Sequence, residues 1–159
     1  PYYLTGFLFR TISELENKPS LIVFTVQREV AERIVAKPPK MNLLAASIQI
    51  WAEPEILAIL PASDFEPMPQ VNSAILKLET RDKRQETREW LVNYYKLIKI
   101  LFKQPRKTIL NNLYFELKIP KGKIIEKLNE LKLTGEERGQ DLSIDLLTNI
   151  SKLFLNPES

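Results

Sequence analysis

Phe65-Glu66-Pro67-Met68-Pro69-Gln70-Val71-Asn72-Ser73-Ala74, running on into Ile75-Leu76-Lys77-Leu78-Glu79, is the stretch whose reading decides the fold of the first half of the chain. Each proline fixes its own φ at about −65° and pushes the residue before it into extended backbone. Phe65 to Pro69 is therefore a stiff, non-helical loop. Phe65, at its start, is either tucked into a core or held out as a platform. From Asn72 to Thr80 an apolar run ends in alternation, which predicts a strand. A rigid loop thus feeds a sheet where a ring could be presented to a ligand.

Working back from the loop, Ile56 to Leu60 reads as a strand stopped by Pro61, close enough to the next strand to be its antiparallel neighbour. Leu21-Ile-Val-Phe-Thr-Val26 is a nearly continuous β-branched and aromatic run, the pattern of a strand buried on both faces of a parallel α/β sheet. Helices are expected on either side of it. Phe7, Leu8, Ile12 and Leu15 repeat at helical spacing behind a Thr5 N-cap. Val30, Ala31, Ile34 and Val35 form the inward face of a second helix, broken by Lys37-Pro38-Pro39-Lys40. Leu43 to Trp51 fits a helical stripe, although Ile48-Gln49-Ile50-Trp51 also fits a strand; helix is favoured. The fold class predicted for this half is α/β, a mostly parallel sheet with helices.

Working forward, Arg81 to Arg88 is charged and lacks apolar residues, which places a domain boundary there, with domains 1–83 and 84–159. Beyond it the chain reads as helical. Trp90, Leu91, Tyr94, Leu97, Ile98, Leu101 and Phe102 share one face, interrupted at Pro105. Lys107 to Leu117 resumes with Ile109, Leu110, Leu113 and Leu117 inward. Ile124 to Leu131 makes a further helix, ended by Gly135. Ser143 starts a last one through Ile144, Leu147, Ile150 and Phe154.

Composition narrows the chemistry. The 159 residues contain no cysteine and no histidine. Thiolate chemistry and disulfides are excluded, a reducing compartment is allowed, and the commonest general base and metal ligand are missing. No metal site is expected. No apolar run approaches the roughly 20 residues of a membrane span. The opening Pro-Tyr-Tyr-Leu has neither the charged region nor the cleavage site of a signal peptide, lacks Met, and reads as the middle of a longer chain. The net charge of +3 is unevenly spread. Residues 1–80 carry 7 basic and 9 acidic side chains, whereas residues 81–159 carry 16 and 11. Between Glu89 and Glu116 there is no acid, while Lys96, Lys99, Lys103, Arg106 and Lys107 all lie there, a candidate phosphate-contacting surface or simply a solvated helix face. Glu29 and Glu32 read as helix-surface partners of Arg33 and Arg28 rather than acid–base catalysts.

Several collinear blocks resemble the ribosomal RNA adenine N6-dimethyltransferase family, which also contains the macrolide-resistance rRNA methyltransferases. Pro1-Tyr2-Tyr3 is similar to the end of its Asn-(Leu/Pro)-Pro-Tyr motif. Val26-Gln-Arg-Glu-Val-Ala-Glu-Arg33 is similar to Gln-(Lys/Arg)-Glu-Val-Ala-x-Arg. Phe65 to Ala74 resembles Phe-x-Pro-Pro-Pro-Lys-Val-Asp-Ser-Ala, with Met68 at the middle proline. Phe102 to Leu113 resembles Phe-x-x-Arg-Arg-Lys-Thr-Leu-x-Asn-x-Leu, with Pro105 at the first arginine. Leu133 to Ser143 resembles a degraded Gly-Ile-x-x-x-x-Arg-Ala-Glu-x-Leu-Ser.

The resemblance implies the C-terminal half of a Rossmann-like class I methyltransferase sheet followed by a small all-α, RNA-binding domain. It implies methyl transfer from S-adenosylmethionine to the exocyclic amine of adenines in small-subunit precursor rRNA. The amine's lone pair is delocalised into the ring, so acceptors must orient it and the ring must be gripped flat. On this reading the Pro1 carbonyl accepts from the amine, Tyr2 stacks on one face of the base and Phe65 closes the other. Such stacking contributes on the order of 1–3 kcal/mol per base, after the base has left its own stack. Lys96, Lys99, Lys103, Arg106 and Lys107 would contact RNA. The glycine-rich S-adenosylmethionine loop and the acidic residue that grips the cofactor ribose are not among these 159 residues, so the chain alone is expected to be inactive. A cytoplasmic monomer is expected, with no membrane or metal partner. The rival reading is a non-catalytic RNA-binding or ribosome-assembly module.

Overall fold

The computed structural model describes residues 5–81 and 88–155, which form two compact units. Of the described residues, the first comprises 5–36 and 48–81, the second 37–47 and 88–155. Residues 37–47, expected in the first domain, thus pack with the second unit. Tyr94, buried there, explains this: its hydroxyl donates to the Ala46 carbonyl at 3.0 Å.

In the first unit three strands, β1 (Leu21–Gln27), β2 (Ala52–Leu60) and β3 (Ser73–Thr80), lie in the order β1-β3-β2. Both outer strands run antiparallel to β3, with Ile22 opposite Leu78, Val26 opposite Ala74 and Glu55 opposite Lys77. The expected antiparallel neighbours β2 and β3 are present. The mostly parallel sheet is not: β1 and β2 point the same way, but β3 is inserted between them, so no described pair is parallel. Leu57 falls at a bulge where the β2–β3 register shifts.

Burial corrects a second expectation. Ile22 and Val26 of β1 and Ala74, Leu76 and Leu78 of β3 share the buried face. Leu21 and Val23, on the other face of β1, are 54% and 52% exposed. β1 is therefore not covered on both faces by the described residues, and its apolar run reads as continuous only because the outward positions are also apolar. Helix α1 (Thr5–Ser13) turns Phe9 and Ile12 inward and leaves Phe7 and Leu8 exposed, so of the expected stripe Ile12 faces the core, Phe7 and Leu8 do not, and Leu15 lies exposed beyond the helix. Phe9 meets Phe24 edge-on at 5.4 Å. Helix α2 (Arg28–Ile34) buries Ala31 and Ile34. Its terminal carbonyls are satisfied by buried Gln49, whose amide donates to Ile34 O at 2.7 Å and Ala36 O at 2.8 Å. Gln49 ends helix α3 (Leu43–Gln49), which settles the ambiguous stretch as helix.

The second unit packs α4 (Arg88–Leu101), α5 (Ile109–Leu117), α6 (Lys121–Glu130) and α7 (Ile144–Leu155), with α4 against both α5 and α7, and α6 against α5. Trp90, Tyr94, Leu97, Ile98 and Leu101 form the buried stripe of α4. Each large apolar side chain so buried contributes about 1.5–3 kcal/mol, far more than the few tenths separating helix propensities. Packing, not propensity, holds these helices. Ser143 caps α7, accepting from Leu146 N at 3.2 Å. Helix α6 stops at Glu130, before the expected Gly135, because Lys132 takes a left-handed φ of 59°.

Candidate functional site

The loop that carries Phe65 is built as a closed span. After β2, Pro61 leads into a single 3-10 turn at Ala62–Asp64, and Phe65 follows in extended conformation (φ −120°, ψ 145°). Asn72 fastens the other end. Its side-chain oxygen accepts from Ala62 N at 3.1 Å, and its backbone carbonyl accepts from Arg28 N at 3.0 Å. One residue thus joins the start of the loop, its end and the first turn of α2. The Glu66–Pro67 peptide is cis. Phe65 is half-buried, Met68 is exposed, and a recess of about 390 Å³ opens where Gln27, Arg28 and Glu29 face Gln70, Val71 and Asn72. Two blocks separated by more than thirty residues in sequence therefore meet at one end of the sheet. Most of the residues that line the recess are polar, and Arg28 there pairs with Glu32 through a 2.7 Å contact. Half-exposed pairs of this kind are worth about 0.3–0.5 kcal/mol, which fits the surface reading of Glu32.

In the second unit the segments 102–113 and 133–143 form one clasp. The first amides of α5 have no partners within the helix. Ile109 N donates to Glu137 O at 2.8 Å and Leu110 N to Gly135 O at 3.2 Å, while Thr108 Oγ1 accepts from Asn111 N at 3.3 Å. Thr108 and Arg138 form an antiparallel bridge. Buried Asn112 reaches back to the end of α4, donating to Leu101 O at 3.1 Å and Gln104 O at 3.2 Å. Gly139 lies so close that an added Cβ would sit 3.1 Å from the Phe102 ring and 3.2 Å from Leu101 O. Gly135 holds φ at 91°, which favours glycine.

Glu137 fastens this clasp. Burial works to raise its carboxyl, but the amides of Thr134, of Glu137 itself and of Gly135, with the Thr134 hydroxyl, outweigh burial and hold it below its ordinary value. A depressed folded pKa gives stabilisation that is complete above the unfolded value of about 4.3 and lost as pH falls through the folded one. As pH falls below the unfolded value of about 4.3, hydrogen-exchange protection of the Ile109 and Leu110 amides is expected to drop. Glu137→Gln should remove that pH-dependent step, and a step that persists in this variant would assign it elsewhere.

The cations are spread over this unit. Lys96 and Lys99 are exposed on the side of α4 opposite its buried stripe, and Arg106 is exposed in the α4–α5 turn. Lys103 pairs with Glu116 at 2.6 Å, so the carboxylate that closes the acid-free window reaches back into it. Lys107 Nζ lies 4.6 Å from the centre of the Phe115 ring.

A family model described as "Ribosomal RNA adenine dimethylase" matches residues 1–155. The chain belongs to the ribosomal RNA adenine dimethylase family. A Ribosomal RNA small subunit methyltransferase A from Dehalococcoides mccartyi is 36% identical over 145 residues, covering 91% of this chain and 50% of the relative. The enzyme of the same name from Fusobacterium nucleatum is 33% identical over 156 residues (97% of this chain, 59% of the relative), and that from Bacillus pumilus 35% over 162 (97% and 54%). The chain spans about half the length of the curated relatives it matches. In fold it resembles a dimethyladenosine transferase from Plasmodium falciparum (TM-score 0.76, 23% identity, 94% of this chain and 62% of that one) and the 23S rRNA methyltransferase ErmE (TM-score 0.72, 18% identity, 97% and 62%).

Of the residues expected at the dimethylase site, Pro1 and Tyr2 lie outside the described residues, and Phe65 is placed on its clamped loop. Within the segments 102–113 and 133–143, Phe102, Thr108, Asn112, Leu113 and Gly139 hold the second unit together, whereas Arg106, like Lys96 and Lys99 of α4, is exposed. The four glycines, at 6, 122, 135 and 139, form no glycine-rich loop. The residues present therefore do not compose the S-adenosylmethionine cradle that the family implies. Among the described residues no group of His, Cys, Asp or Glu is arranged to hold a metal ion, and no helix is long and apolar enough to cross a membrane. The sequence reading missed Asn72, Asn112 and Glu137, whose polar side chains act on backbone distant in sequence and leave no periodic signal. It also missed Tyr114 and Phe115, although their phase, opposite Ile109 and Leu113, marks them as outward.

Proposed function

We propose that this chain is the base-gripping and RNA-binding part of an S-adenosylmethionine-dependent adenine N6-dimethyltransferase of small-subunit rRNA. Residues 1–83 form the C-terminal part of its Rossmann-like catalytic domain and residues 84–159 its helical RNA-binding domain. The Pro1 carbonyl orients the adenine amine, and Tyr2 and Phe65 stack on opposite faces of the displaced base. The observation that carries this reading is the junction at Asn72, which ties the Phe65 loop to the Gln27-Arg28-Glu29 block at one end of the sheet. Lys96, Lys99, Lys103, Arg106 and Lys107 contact phosphates.

S-adenosylmethionine is bound by residues outside these 159, and the chain alone transfers no methyl group. Fused behind the cofactor-binding half of the Dehalococcoides relative, it should transfer labelled methyl groups to small-subunit precursor rRNA. The exposed Lys96, Lys99 and Arg106 serve equally a second reading, a non-catalytic RNA-binding module. Intact RNA binding without transfer by the fusion would support that module and reject the enzyme.

A further inference from the structure

On α5 the buried residues Ile109, Leu110, Asn112 and Leu113 fill one side, and Asn111, Tyr114 and Phe115 occupy the other. Phe115 is 55% exposed and Tyr114 39%. Two large rings side by side on a helix surface are an unusual expense of apolar area unless something covers them. Their surroundings are cationic. Lys107 Nζ stands 4.6 Å over the Phe115 ring, and Lys121 Nζ stands 5.2 Å over Tyr114 while donating to Asn111 Oδ1 at 3.0 Å. Lys103 is exposed and paired with Glu116. Between Glu89 and Glu126 the chain has eight basic residues and one acid, Glu116.

We propose that Tyr114 and Phe115, with Lys107 and Lys121 against them, form a stacking platform for an unpaired RNA strand. The charge selects a polyanion, and the rings select unpaired bases, because a duplex keeps its π-faces inside. The two rings are inclined at 66° with centroids 5.3 Å apart, so each receives a different base and the strand must bend between them. Exposed lysine–ring contacts are weak. An arriving base displaces the ammonium from the ring, and the lysine is left beside the phosphate that the base brings. This rests on the reading of the chain as RNA-binding but not on catalysis.

The test uses the whole chain and a fluorescent twelve-nucleotide single-stranded RNA, with a twelve-base-pair RNA duplex and phosphatidylserine-containing vesicles as competitors. Tyr114→Ala/Phe115→Ala is expected to weaken single-strand binding at least tenfold and duplex binding less than twofold, with the salt dependence unchanged. Lys107→Ala/Lys121→Ala should instead flatten the salt dependence by about 1.4 in log–log slope, two phosphates at about 0.7 each. Tyr114→Leu/Phe115→Leu keeps the apolar bulk and removes the π-faces, so it should weaken single-strand binding at least tenfold even if the alanine pair does not fold. Single-strand binding by the leucine pair equal to that of the unmodified chain overturns the proposal. Equal losses for strand and duplex, or a loss confined to vesicles, overturn it too. Because no methyl transfer is measured, failure here and failure of the catalytic reading are separate results.

Discussion

Asn112→Asp is expected to destabilise the second unit by about 3–4 kcal/mol, read as a lower urea midpoint at unchanged slope. The substitution keeps size and shape and exchanges a donor for an acceptor. The Asn112 amide nitrogen gives its hydrogens to Leu101 O, Gln104 O and, at 3.5 Å, Lys107 O. A carboxylate there would face those carbonyls from a buried position, which is worse than leaving them bare. The new carboxyl would titrate high. The loss should therefore be largest near neutral pH and shrink as pH falls far enough to protonate it. A midpoint within 1 kcal/mol of the unmodified chain at pH 7 would show that the amide does not hold the end of α4.

Phe65→Ala is expected to lower methyl transfer by the fusion between about fivefold and 160-fold, the loss of one base-stacking face at about 1–3 kcal/mol. Phe65→Tyr, which keeps the ring, should retain most of the rate. The chain's affinity for the RNA strand should change little, because Phe65 and the α5 platform belong to different units. Phe65 is only half-buried, so the alanine variant should still fold, and an unchanged urea midpoint would confirm it. Full activity in Phe65→Ala would remove this ring from the base-gripping role.

These expectations draw unequally on sequence and on tertiary structure. The helices of the second unit were legible because Trp90, Tyr94, Leu97 and Leu101 repeat at helical spacing, and burial of such a stripe is what makes the helix form. The Phe65 loop was legible because proline restricts backbone wherever it stands. β1 misled, since its outward Leu21 and Val23 are as apolar as its inward Ile22 and Val26, and a pattern of residue types cannot report which side is covered. α1 misled for a related reason, its apolar residues being too many to define one face.

What the sequence by itself determined is local: where helices and strands run, where prolines stiffen the chain, where positive charge collects, and, through its collinear blocks, the dimethylase family. These follow from steric limits, periodicity and composition, which act over a few residues. Only the tertiary structure decided that β3 lies between β1 and β2, that Asn72 closes the Phe65 loop against α2, and that Asn112 and Glu137 bind backbone from other segments. The same holds for the cationic surroundings of Tyr114 and Phe115. Each of these depends on a hydrogen bond, ladder or ring contact between residues distant in the chain, and such partners are chosen by the packed fold rather than by spacing.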